Sequence, residues 1–395
     1  MLRFGMIVGL MALFLGSMVS SPAMACPFCS AVAQTFTEEM DSMDVAVIAK
    51  LVEAPKPVGD ITTAEQLPKA TFVVQDVLKG GQHVQVGQRL EAIYLGNAPV
   101  GTAFLMMAVD PPRLSWSTPL AVTARSRQYL KTIASLPRDY ASSPEKHAKR
   151  LEFFLNYLED AEEMLARDAY DEFARAPYAV VKLLAPKLSR ETLIAWIRNP
   201  DVPTSRRRLY FTLLGVCGNR EDARFLEELL TSDDPKQRGG LDALIGCYLT
   251  LRGADGLPLI EELFLKNEQA DYSETYAAIM ALRFHGTDGG VIPQQRIVQS
   301  LRLMLDRPKL ADLVIPDLAR WEDWQSMPRL VELFKQSDEK TSWVRVPIIN
   351  YLRACPLPEA KRYLDELEKL DPVAFRRATT FFPVVVPPDS TSPNP

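Results

Sequence analysis

Cys26-Pro27-Phe28-Cys29 is the sharpest chemical motif in this 395-residue chain. A C-x-x-C pair exchanges disulfides when its surroundings lower the pKa of one thiol. That setting calls for a strand before the motif and a helix after it, and neither is legible here. Two alternatives stand beside it: a local disulfide, or a lipid carried on Cys26. Zinc would need two further ligands, and no second C-x-x-C exists. Haem attachment fails because Ser30, not His, follows Cys29.

Other reactive residues are thinly spread. His83, His147 and His285 lie far apart, so no His-rich metal site or His-based triad can be read. Glu159, Asp160, Glu162 and Glu163, then Asp168, Asp171 and Glu172, could pair as catalytic carboxylates. With no cleft to raise a pKa they read as a solvated helix face. Cys217, Cys247 and Cys355 fall at or near the ends of apolar helices and read as small buried hydrophobes. No G-x-x-x-x-G-K-[ST], H-E-x-x-H or G-x-S-x-G occurs, so no motif-bearing enzyme class or cofactor gains support.

The elements that hold these residues divide the chain. Residues 1–25 read as an export signal: Arg3, an apolar Met6–Met18 core, and the cleavage site Ala23-Met24-Ala25. The mature chain would begin at Cys26, outside the cytoplasm. A lipidated Cys26 or an uncleaved anchor would tie it to a membrane. Residues 26–122 carry short β-branched runs at Val45–Ala49, Ala70–Leu78, Arg89–Leu95 and Thr102–Val109, with a short one near Leu120. About five strands bounded by Gly and Pro fit a small OB-type barrel. Residues 123–185 are charged and helical, and read as a connector with capping units. Residues 373–395 are rich in Pro, Ser and Thr and read as a disordered tail.

Residues 186–372 repeat. Acidic turn residues recur at Asp222, Asp255, Asp288, Asp323 and Glu359, in steps of 33, 33, 35 and 36. Each is flanked by two apolar helical faces, such as Leu209, Leu213 and Leu214 before Asp222, and Phe225, Leu226 and Leu229 after it. Units of this length cannot bury their faces alone and stack into an α-solenoid. The runs Asp234-Pro235-Lys236-Gln237-Arg238 and Ser342-Trp343-Val344-Arg345 resemble the segment that opens a HEAT repeat. The expected fold is therefore multidomain: a small all-β OB-like barrel, then an all-α HEAT-like solenoid.

The barrel region also resembles netrin-like modules, the group that includes tissue inhibitors of metalloproteinases. Cys26 and Cys29, the strand Asp44–Glu53, Thr71–Gly80 and Val100–Asp110 carry that likeness, although no cysteine lies between Cys29 and Cys217. The resemblance implies protease inhibition through the N-terminus.

A net charge of -5 and a pI near 5.5 argue against nucleic-acid binding. The leading expectation is an exported, non-enzymatic scaffold that holds a protein partner on the solenoid surface. Arg206, Arg207, Arg208, Trp321 and Trp324 are its candidate anchors. The arginines read otherwise as a solvated helix start, and the tryptophans, with Trp343, as packing between repeats. A thiol–disulfide protein and a protease inhibitor are the alternatives.

Overall fold

A computed structural model describes residues 26–30, 33–55 and 67–381. The signal segment, and residues 382–395 of the tail, lie outside the described residues.

Helix α1 (Phe36–Ser42) leads into the sheet. Its start is written locally: Thr35 Oγ1 accepts from the Glu38 N–H, and Glu38 accepts from the Thr35 N–H. Six antiparallel strands follow: β1 (Val45–Glu53), β2 (Lys69–Lys79), β3 (Arg89–Ile93), β4 (Ala103–Val109), β5 (Ser115–Trp116) and β6 (Leu120–Val122). Their order is β3-β2-β1-β4-β5, with β6 also on β4, which makes a nearly closed barrel-like sheet.

Alternation along β1 sorts its side chains into two cores. Val45, Val47, Ala49 and Leu51 face the barrel interior. There Phe72, Tyr94 and Phe104 meet edge to face, with centroids 5.3–6.0 Å apart. Ala46 and Ile48 face outward and, with Leu105 and Met107, join the core of the helices. The barrel and the helical region therefore share apolar surface.

Helices α2 (Ala124–Ser135), α3 (Pro144–Phe154), α4 (Glu163–Arg175), α5 (Tyr178–Lys182) and α6 (Arg190–Arg198) come next. Pairs then follow: α7 (Thr204–Cys217) with α8 (Ala223–Leu230), and α9 (Leu241–Arg252) with α10 (Leu257–Ile260). After them come α11 (Tyr272–Phe284) with α12 (Gln294–Arg302), α13 (Ile315–Arg320) with α14 (Met327–Gln336), and α15 (Arg345–Ala354) with α16 (Pro358–Leu370). The first members α7, α9 and α11 pack in succession.

Ion pairs mark the repeat. Arg208–Asp242, Arg238–Glu274 and Arg283–Asp317 join residues 34, 36 and 34 positions apart. Each arginine on one first helix, or just ahead of it, reaches an acid on the next. Two of the acidic turn residues are buried pairing centres: Asp222 holds Arg190 and Asp323 holds Arg302.

One expectation is corrected at the C-terminus. The segment read as tail from residue 373 begins as a helix, α17 (Pro372–Phe381). Ala374 and Ala378 are buried on it, and Arg353 Nη1 donates to the Ala378 carbonyl at 3.1 Å. Small residues at i and i+4 let this helix lie close to α15.

Candidate binding surface

The starts of α7, α9 and α11 border a groove of about 560 Å3. Helix α11 opens with a capping box in which Glu274 reaches back to the Asp271 N–H at 3.2 Å. The cap sets the first turn, and the turn presents Tyr272 and Tyr276 four residues apart on one face. They are 59% and 39% exposed, and their rings stack in parallel with centroids 6.0 Å apart. Leu241, Ala277 and Met280 add apolar lining. The arginines in the wall are already paired, Arg208 with Asp242 at 2.8 Å and Arg238 with Glu274. The exposed part of this groove is therefore aromatic and apolar more than charged. In the sequence Tyr276 reads as part of an apolar helix face with Ile279 and Met280, and Tyr272 is not singled out; an aromatic pair at i and i+4 directly after a capping Asp was the available signal.

Trp321 and Trp324 border a second groove, of about 420 Å3, beside Val298 and Arg302 of α12. Both are half-buried. The Trp321 ring lies over Gly286, where a Cβ would come within 2.4 Å of Cη2. Trp324 meets Tyr351 at 5.2 Å, tilted 66°. Each tryptophan thus has one face in the core and remains part of a groove wall.

The Arg206–Arg208 run is placed differently from a solvated helix start. Arg206 is buried and donates to the Leu158 carbonyl at 3.3 Å, Glu159 at 3.3 Å and Glu163 at 2.8 Å. Arg207, also buried, donates to the carbonyls of Lys236 and Gln237 at 2.6 and 2.8 Å. Arg208 is the rung to Asp242. A guanidinium offers five donors, and here they close loop carbonyls and carboxylates between neighbouring elements. All three hold the array together.

Cys26 and Cys29 form a disulfide. Cys26 is 2% exposed, and Sγ lies 3.9 Å from Thr212 Oγ1 on α7. Cys247 and Cys355 are free and buried, while Cys217 is free and half-buried. Burial pushes the Cys217 thiol up to about 11 and Cys247 higher than its ordinary value, so neither is a ready thiolate.

The acidic group on α4 corrects the reading of a solvated face. Asp168, Asp171 and Glu172 are buried. Their spacing, with Arg175, puts all four on one face of α4, and that face meets α1. Asp168 accepts from the Phe36 N–H at 2.7 Å and from the Tyr129 hydroxyl at 2.5 Å. Arg150 donates to Glu172 at 2.9 Å and to Thr37 Oγ1 at 2.6 Å, and Arg175 donates to Glu38 at 3.0 Å. Burial pushes the Asp168 carboxyl up to about 7. Asp168 and Glu172 are thus held by donors from α1, α2 and α3, and the group fastens α1. By contrast Glu159 and Glu163 lie at the edge and hold Arg206.

Among the described residues no group of three or more His, Cys, Asp or Glu could hold a metal ion. Among the same residues no helix is long and apolar enough to cross a membrane. No family model, curated protein or solved structure matches the chain.

Proposed function

We propose that this chain is an exported, non-catalytic binding protein whose helical array holds a partner protein. The observation that carries the reading is the Tyr272–Tyr276 groove. Exposed parallel aromatics, 6.0 Å apart on a rigid helix, supply large contact area at small entropic cost, the pattern of binding anchors. The Trp321–Trp324 groove supports it with a second aromatic wall on the same array. Arg206 and Arg207 are weaker anchors in this reading, because both are buried and bonded within the fold, whereas Arg208, paired through Nε to Asp242, still borders the groove.

The export part of the reading rests on residues 1–25 and on a disulfide that suits an oxidising compartment. The finer likeness to HEAT repeats is supported by Arg238 and Arg345, each of which reaches an acid further along, Glu274 and Asp371. The netrin-like likeness is supported by β1 lying between β2 and β4. Burial of Cys26 against Thr212 weighs against a dithiol that turns over disulfide substrates, and equally against an N-terminal wedge offered to a protease.

The test is capture of the native protein from its exported fraction with mild crosslinking. A partner linked beside Tyr272, Tyr276, Trp321 or Trp324, and lost when Tyr272 and Tyr276 become Ala, supports the reading. Links confined to mixed disulfides at Cys26 or Cys29 overturn it.

A further inference from the structure

We propose that the Cys26–Cys29 disulfide is a redox latch: it holds Phe28 in a slot of the helical array and keeps the N-terminal arm docked. The inference concerns the arm alone and does not rest on the partner-binding reading.

The slot is built for a ring. Gly246 sits inside α9, where glycine is a poor helix former. A Cβ at that position would lie 2.5 Å from Phe28 Cζ, so the missing side chain is the space the ring occupies. Phe28 is 8% exposed and meets Phe284 edge-on at 5.0 Å. Phe284 meets Tyr178 in the same way at 5.1 Å. Behind them His285 Nε2 donates to the Gly246 carbonyl at 3.0 Å, which ties α11 to α9 at the level of the slot. Helices α9 and α11, both distant in sequence from the arm, thus meet on Phe28.

The disulfide shapes the plug. It closes a four-residue loop, inside which the Cys29 N–H donates to the Cys26 carbonyl at 3.1 Å. Pro27 fixes one φ of that loop, and Phe28 is left projecting from its tip. The arm beyond is held at separate points: Tyr170 donates to the Ser30 carbonyl at 3.3 Å and Arg175 to the Ala33 carbonyl at 2.5 Å. Asp168 takes the Phe36 N–H. Opening the ring returns backbone freedom to the loop, and that freedom opposes insertion of the plug.

A dithiol reductant opens the latch. Its thiolate attacks Sγ of Cys29, the half-buried sulfur, and Cys26 Sγ leaves as a thiolate that takes up a proton. The second thiol of the reductant then attacks the mixed disulfide, releasing Cys29 as a thiol and closing the reductant's own disulfide. Two electrons pass to the protein, and the reductant is oxidised. The latch is closed in an oxidising compartment and open in a reducing one.

Hydrogen exchange followed by mass spectrometry on the full mature chain tests this. The oxidised protein is compared with the dithiothreitol-treated protein and with the Cys26→Ser/Cys29→Ser double variant, which represents the open state if the native bond resists reductant. Exchange across residues 33–42 and 284–289 is expected to quicken at least about tenfold, with 103–109 and 345–354 unchanged. Phe28→Ala, which removes the plug and leaves the disulfide, is expected to quicken the same segments. Unchanged arm exchange in both the double variant and Phe28→Ala overturns the latch. A uniform rise along the whole chain also overturns it, because the disulfide would then be a general staple.

Discussion

Asp168 on α4 accepts a 2.7 Å hydrogen bond from the backbone N–H of Phe36, a residue 132 positions earlier. The bond fastens the first turn of α1 to the helical region, next to the Arg150–Glu172 pair. Burial of Asp168 at this junction should also set up a compensated pH response, because a second buried group, His285, shifts in the opposite direction.

Burial pushes Asp168 up to about 7 and His285 down to about 4. Between pH 4 and 7 folded Asp168 keeps a proton that the unfolded chain has lost, so its contribution falls as pH rises. Over much of the same range unfolded His285 holds a proton that the folded chain lacks, so its contribution rises with pH. Each shift corresponds to roughly 3–4 kcal/mol at 1.36 kcal/mol per unit. The two slopes oppose each other, and urea unfolding of the wild type between pH 4.5 and 6 is expected to be nearly flat. Asp168→Asn should make stability rise with pH across that window, and His285→Gln should make it fall. Parallel profiles for all three proteins would contradict this account.

The ladder of ion pairs predicts unequal costs for similar substitutions. Asp317 is 1% exposed, and Arg283→Ala removes its 2.7 Å partner together with a donor to the Leu313 carbonyl. Asp317 then keeps only the more exposed Arg320, at 3.3 Å, and losing the shorter charge-assisted bond should cost about 2 kcal/mol. Arg224→Ala breaks the exposed Arg224–Glu228 pair and should cost under about 0.5 kcal/mol. Denaturant midpoints of the two variants, at constant m-value, check the contrast.

Gly286 and Trp321 make a local test of the second groove. A methyl at 286 would come within 2.4 Å of the indole, so Gly286→Ala should drive the ring toward solvent. A red shift in tryptophan emission, absent when Trp321→Phe is added, is the expected signature. An unshifted spectrum would mean that the ring is not held there.

Much of the architecture was legible because its signals are periodic. Five of the six strands follow from the runs near Val45, Ala70, Arg89 and Thr102 and the short one near Leu120, where alternation sorts one face inward. The 33–36-residue recurrence of turn acids anticipated the 34–36-residue spacing of the ladder, since both count one helical pair. The buried acids on α4 were not legible as such. Asp168, Asp171, Glu172 and Arg175 share a face, but a charged stripe becomes a core only when another charged or donor-rich element covers it. That cover is α1, the Tyr129 hydroxyl and Arg150, which no local pattern places there. Helix α1 itself was passed over, although Thr35 and Glu38 spell its cap. Arg206 and Arg207 misled for the same reason: their carbonyl and carboxylate partners sit 29 to 48 residues away.

The most direct measurement is partner capture by the wild type and by the Tyr272→Ala/Tyr276→Ala variant. Crosslinked residues would be mapped and thermal stability recorded for both. The account predicts a stoichiometric protein linked beside α11 and at least about tenfold weaker binding in the variant, with stability unchanged. Undiminished binding by a folded variant, or links only through Cys26 and Cys29, would contradict it.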